Sequence, residues 1–387
     1  MVVSGIEGFR LEETRAKAEP SSDIFAVRGT TGRDSGFETL LGLMGHHGLK
    51  FHRAAGDGRT HGPDGLIPAD AVVILKVNSQ WDERGGTNTD LVRSIIEAIL
   101  ANPDGFAGEV VVADNGQDQF GAHGYGGNLD YERNNAEDKG QSIQDVVDSF
   151  PGHRVSTYLW DRITTRKVEE YFHGDSEDGY VLDEGEDPTT GIQVSYPKFT
   201  TKQGTRISFR HGVWVPETSQ YDSERLKVVN VPVLKAHFIF GVTACVKHYM
   251  GVVSDKLTGR GAHRSVGTGG MGTEMAGTRM PTLNVLDAIW VNATPGKGPR
   301  SNYEEATRLN LVMAGVDPAA LDRWATKNVL MQAARLQGHD DLSEFDPDNA
   351  EPGSHGDWLR RSAEAMRKAG HRVTLDEERM NVFVAYV

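Results

Sequence analysis

The stretch Val228 to Gly251 (VVNVPVLKAHFIFGVTACVKHYMG) holds the side chains best suited to chemistry: Lys235, His237 and Lys247. An imidazole at the end of a strand can move a proton. A lysine on a short buried helix has its charged form disfavoured, which makes the amine nucleophilic. Each type also has a plain structural use, the histidine as hydrogen-bonded packing and the lysine as a solvated tip. The order of elements favours a site. An apolar, β-branched run (Val228, Val229, Val231, Val233) has buried-strand length, and the basic groups sit where it stops. Gly241 then breaks the chain. Thr243 is placed to cap a short helix carrying Val246 to Met250, and Gly251 ends it. Open α/β sheets build ligand sites from strand, glycine turn and helix in that order.

The elements around this stretch fit the same architecture. Ala71–Val77 (AVVILKV) reads as a buried strand, followed by a helix with Leu91, Val92, Ile95, Ile96 and Ile99 on one face, capped from Thr87, Asn88 or Thr89. The same apolar face of that helix takes in Leu100, and a strand at Val110–Ala113 completes a β-loop-α-β unit, for which a parallel sheet is the natural outcome. Asp114-Asn-Gly-Gln follows at its carboxyl end, to orient a ligand or to cap the turn. Further strands are expected at Ile24–Val27, Arg154–Tyr158, Leu309–Ala314 and Met380–Val387. Leu283–Val291 reads as helix or strand. Helices are expected at 39–44, 143–150, from Leu321 to Val329 and at 358–369. The acidic stretch 173–190 reads as an exposed excursion, and 191–215 as two strands. His46, His47, His52 and His61 read as solvated loop histidines. The fold expected is α/β, a mostly parallel sheet flanked by helices, in one lobe or in two with the site between them. The divisions are a polar arm at 1–22, a main domain at 23–280 and a second lobe or extension at 281–387.

Composition narrows the function. A formal charge of −14, without a Lys/Arg cluster, argues against a nucleic-acid surface. The single cysteine, Cys245, excludes a disulfide framework and a four-cysteine iron–sulfur cluster held by this chain. With no signal-peptide pattern and no run of membrane-spanning length, a cytoplasmic protein without a membrane partner is expected. Gly267-Thr-Gly-Gly-Met-Gly272 satisfies GxGxxG but lacks a strand immediately before it. It is therefore read as a backbone loop able to wrap a phosphate, not as a dinucleotide fingerprint.

Taken together, VVILKVN with Asn78, the GGTNTD helix start, the 228–251 stretch and LVMAGVDPAALD resemble the domain-of-unknown-function 362 family over about residues 70–330. The resemblance implies the α/β fold more strongly than any chemistry. More distantly, His237, Lys247 and His263 are similar in order and spacing to residues of the nickel-pincer lactate racemase family. That likeness implies an acid/base at His237, covalent attachment of a pincer nucleotide at Lys247 and metal ligation by His263. Arg84, in R-G-G-T-N-T, resembles that family's carboxylate-gripping stretch. The second acid/base histidine of that family has no counterpart here. Asp114-Asn-Gly-Gln stands in its place, and His123 lies near it only in sequence.

The functional expectation is an enzyme for a small carboxylate- or hydroxyl-bearing molecule, of racemase, epimerase or oxidoreductase type. Arg84, His237 and Lys247 would be catalytic. Lys247, Asn78, Gly267, Gly269 and Gly272 would hold a nickel-pincer nucleotide or another metal cofactor, with His263 on the metal. The alternatives are a metal-independent lyase or isomerase using Lys247 and His237, and a nucleotide- or anion-binding module without turnover.

Overall fold

The structure is a computed structural model describing residues 6–118 and 126–387. The apolar runs assemble into a ten-stranded sheet. In chain order its strands are β1 (Ser22–Arg28), β2 (Val72–Lys76), β3 (Glu109–Asp114), β4 (Val155–Leu159) and β5 (Leu226–Asn230). They continue with β6 (Val233–His237), β7 (Gly241–Thr243), β8 (Leu283–Asn292), β9 (Thr307–Gly315) and β10 (Met380–Tyr386). Across the sheet the order is β10-β1-β9-β8-β5-β2-β3-β4, with β6 beside β8 beyond the end of β5. The sheet is mostly parallel. Only β1–β9, β8–β9 and the β6–β7 hairpin pair antiparallel among the described residues.

Helices are α1 (Gly36–His46), α2 (Thr89–Leu100), α3 (Ile143–Asp148), α4 (Gly261–Ser265), α5 (Gly270–Gly277), α6 (Pro318–Ala325), α7 (Met331–Leu336) and α8 (His355–Lys368). Strand side chains alternate between faces. Val73, Leu75, Val110 and Val112 therefore pack under α1, α2 and α3. Val72, Ile74 and Val111 face the other way, against Tyr180, Phe199 and Phe209 and against Met271 and Trp358 of α5 and α8. Burial on both faces is why these strands are continuously apolar. Of the α2 face expected from the spacing, Leu91, Val92, Ile95, Ile96 and Ile99 are fully buried, about 1.5–3 kcal/mol for each, and Leu100 at its end is half-buried. Its cap is Asn88, whose Oδ1 accepts from the Leu91 amide at 3.0 Å.

Four expectations need correction. The run through Val233 is two strands, because Pro232 has no N–H for the ladder and the chain steps across it from β5 to β6. Residues 173–190 are more than an excursion: Gly179–Leu182 is a strand with Tyr180 fully buried. It joins 195–200, 206–208, 212–215 and 220–222 in a five-stranded antiparallel sheet, so 191–215 holds three strands. His52 is buried, its Nε2 2.7 Å from the Ala98 carbonyl, and the His47 ring stacks 3.5 Å from that of Phe383.

β8, β9 and β10, which follow residue 280, complete the same sheet as the strands before it. From Ile6 the N-terminal arm is pinned, with Thr14 bridged to Val382 and Phe9 and Leu11 in the core. No helix among the described residues is long and apolar enough to cross a membrane.

Candidate functional site

The carboxyl ends of β2 and β3 place Lys76 and Asp114 side by side, both buried. Lys76 Nζ donates to Asp114 Oδ1 at 2.7 Å and lies 2.9 Å from His248 Nε2. His248 Nδ1 is 2.8 Å from Asn230 Oδ1 at the end of β5. An amide oxygen only accepts, so Nδ1 carries the proton and Nε2 accepts from the ammonium. Burial first, then Lys76, holds this imidazole well below its ordinary pKa. Asp114 Oδ2 also takes the Ser79 amide at 2.7 Å. Gly251 completes the arrangement. A Cβ there would sit 2.2 Å from Asp114 Oδ1 and 2.4 Å from Lys76 Nζ, so only glycine lets the backbone pass over this ion pair.

Above this floor opens a cavity of about 440 Å³, lined by Lys76, Asn78, Asp114, Lys235, His237, Lys247, His248 and His263, with Trp81, Phe238 and Ile239 among its apolar walls. That volume suits a small molecule or mononucleotide. The sequence therefore brings His237, Lys247, His263 and Asn78 together from separate segments. Lys247 opens a short 3₁₀ turn (Lys247–Gly251), not a helix capped by Thr243, which ends β7. The cap is supplied from α6. Asp322 accepts the amides of Cys245 and Val246 at 2.7 and 2.8 Å, fixing the entry to the turn.

Lys247 is 7% exposed, and among the described residues its amine has neither hydrogen bond nor ion pair. It lies 5.2 Å from the centre of the Phe240 ring. Burial pushes its pKa down to about 7, so near neutral pH much of it is the free amine. Lys235 is also pushed to about 7, by burial and then by Lys247, and it donates to the Gly85 carbonyl at 2.5 Å.

His237 differs from its expected role. Its Nδ1 accepts from the amides of Ile239 and Phe240 at 3.2 and 3.3 Å, leaving the proton on Nε2. Burial, Lys247 and Lys235 hold the ring neutral, well below its ordinary pKa. Its one lone pair is engaged, so it can donate a hydrogen bond to a ligand but not act as a general base. The basic nitrogen belongs instead to His263 on α4. Buried Asp255 accepts from its Nδ1 at 2.6 Å and from its backbone amide at 3.1 Å. This carboxylate fixes the tautomer and presents Nε2 as an acceptor or ligand.

Two expected groups lie elsewhere. The guanidinium of Arg84 donates to Asn135 Oδ1 (2.8 Å) and the Ala136 carbonyl (3.2 Å), and it stacks 4.1 Å over Trp290. It does not line the cavity. Its segment contributes the Gly85 carbonyl instead. Arg84→Met is accordingly expected to cost about 1–3 kcal/mol in urea unfolding while leaving anion affinity within about twofold. Gly267, Gly269 and Gly272 are also outside the cavity. Gly269 and Gly272 lie against α8, where Cβ atoms would meet Arg361 at 2.6 Å and the Ser362 carbonyl at 2.2 Å. Gly269 and Gly272 serve the packing of α5 on α8.

Lys76, His248, Asp255 and Asp322 were not assigned roles from the sequence. A lysine closing an otherwise apolar strand is the one local signal for Lys76. The acids take their meaning from partners distant in the chain. His123 lies outside the described residues, and no group of three or more His, Cys, Asp or Glu able to hold a metal occurs among those described. No curated protein and no solved structure matches the chain. Residues 218–327, which carry His237, Lys247, His248 and His263, match the family described as Domain of unknown function (DUF362).

Proposed function

We propose that this chain is an enzyme acting on a small carboxylate-bearing molecule through covalent chemistry at Lys247. The observation carrying this reading is the Lys247 amine, desolvated in a cavity, unpaired among the described residues and with its pKa near 7. Such an amine attacks a carbonyl carbon, losing water to form an imine. Lys235, which burial and Lys247 push toward its neutral amine, gains its charge as the carboxylate binds. His237 Nε2–H donates to oxygen that gains charge as the carbonyl is attacked. His263, oriented by Asp255, takes or returns the proton.

A nickel-pincer nucleotide fits this lining in part. Lys247 would hold it, and His263 Nε2, backed by the Asp255 carboxylate, has the second-shell pattern of a metal-ligating imidazole. Further metal ligands would have to come from the bound organic group, because the described residues form no three-ligand cluster. Bound there, such a group would supply hydride transfer at the hydroxyl-bearing carbon. Arg84 and the 267–272 segment take no part in holding it.

Intact mass spectrometry separates these versions. Native protein carrying a stable adduct at Lys247 indicates a resident cofactor. An adduct appearing only after incubation with a 2-oxo carboxylate and borohydride indicates a substrate imine. Absence of both in active protein would sink the covalent reading.

A further inference from the structure

We infer that the cavity selects doubly negative ligands, and that Lys235 is the residue that sets this preference. This rests on the small-anion reading above and specifies its substrate class.

The inference follows from the balance of charge around the cavity. Lys76 is matched by Asp114 in a buried ion pair. Lys235 is fully buried on β6, and its one hydrogen bond among the described residues goes to the neutral Gly85 carbonyl. The other carboxylate near it, Asp287 on β8, is occupied by the amides of Asn88 and Ile289 at 2.9 and 3.1 Å. Lys247 has no ion pair among the described residues. The remaining groups add no negative charge. His237 and His248 are held neutral, and Arg260 and Arg300 are further cations of the lining. The acid beside His263 is already bonded to it. Two buried amines facing one cavity without an ion pair among the described residues are held toward their neutral forms by burial, and an anionic ligand favours the return of each to ammonium. A monoanion answers one of them. A dianion, either a tetrahedral phosphate-type group or a dicarboxylate, answers both.

The test is calorimetric titration of the purified full chain at constant ionic strength. Sulfate, methyl phosphate and succinate serve as dianions, with formate and acetate as monoanions. Binding of at least one dianion class about tenfold or more tighter than either monoanion is the expected result, a factor typical of one added charge contact in a desolvated site. Sulfate and methyl phosphate against succinate tells which class the cavity takes. Lys235→Met, which keeps side-chain length and removes the charge, should erase the preference. Equal wild-type affinities for both charge classes would overturn the inference whether or not the variant folds. So would a folded Lys235→Met protein that keeps the preference. Dianion selectivity without any adduct at Lys247 would sink the covalent reading while leaving this one standing.

Discussion

Lys247→Met is expected to abolish covalent capture and to lower turnover by roughly 10³-fold or more, because no other amine in the cavity is free of a protein hydrogen bond. Lys247→Arg should be as inactive, since a guanidinium keeps the charge but cannot deliver a free amine. The wild-type pH profile provides the control. Nucleophilic attack needs the deprotonated form, and the Lys247 pKa lies at about 7. kcat/KM should therefore rise with pH toward about 7 and fall again above it, where Lys235, also near 7, loses the charge that holds the carboxylate. Stability follows the same linkage. The folded pKa is depressed from 10.5, so between about 7 and 10.5 the unfolded chain binds more protons. Stability should rise with pH across that window and be weakest below 7. In Lys247→Met that part of the slope disappears, and stability at pH 6 should be unchanged or higher. Turnover surviving in a folded Met or Arg variant would exclude Lys247 as the nucleophile.

The fold was legible wherever burial imposed a repeating pattern. β2, β3 and α2 are set by local apolar periodicity, and each lies within a residue or two of where that pattern ends. Around Lys247 local pattern was insufficient. Val246 to Met250 has helix-like composition, but the turn is short and 3₁₀ because its cap comes from Asp322 on α6. The convergence of His237, Lys247 and His263 was legible from their order. Their division of labour was not, because it depends on which ring nitrogen is occupied. Backbone amides two and three residues on take up the His237 lone pair, whereas a carboxylate eight residues upstream frees that of His263. Arg84 and the 267–272 glycines fitted sequence patterns whose structural context is absent. The first is consumed by Asn135 and Trp290, and α8 lies against the second.

His263→Gln should lower kcat by roughly 10²–10⁴-fold with anion affinity changed only a few-fold, the range for losing a positioned general acid–base. Asp255→Asn is the more discriminating change, because it leaves the imidazole in place. An asparagine amide turned toward Nδ1 donates where Asp255 accepted, which moves the ring proton to Nε2 and removes the basic lone pair from the cavity. Turnover should fall nearly as far as in His263→Gln, and the double variant should lose little more, because the two residues act as one unit. Metal analysis of the same proteins separates proton transfer from ligation. If His263 is a base, both variants keep whatever metal the wild type holds, and added imidazole restores part of the activity of His263→Gln. If it is a ligand, metal content falls together with activity. An Asp255→Asn protein with wild-type turnover would mean that the orientation of His263 has no part in the reaction, leaving Lys247 to work without a partner on that wall.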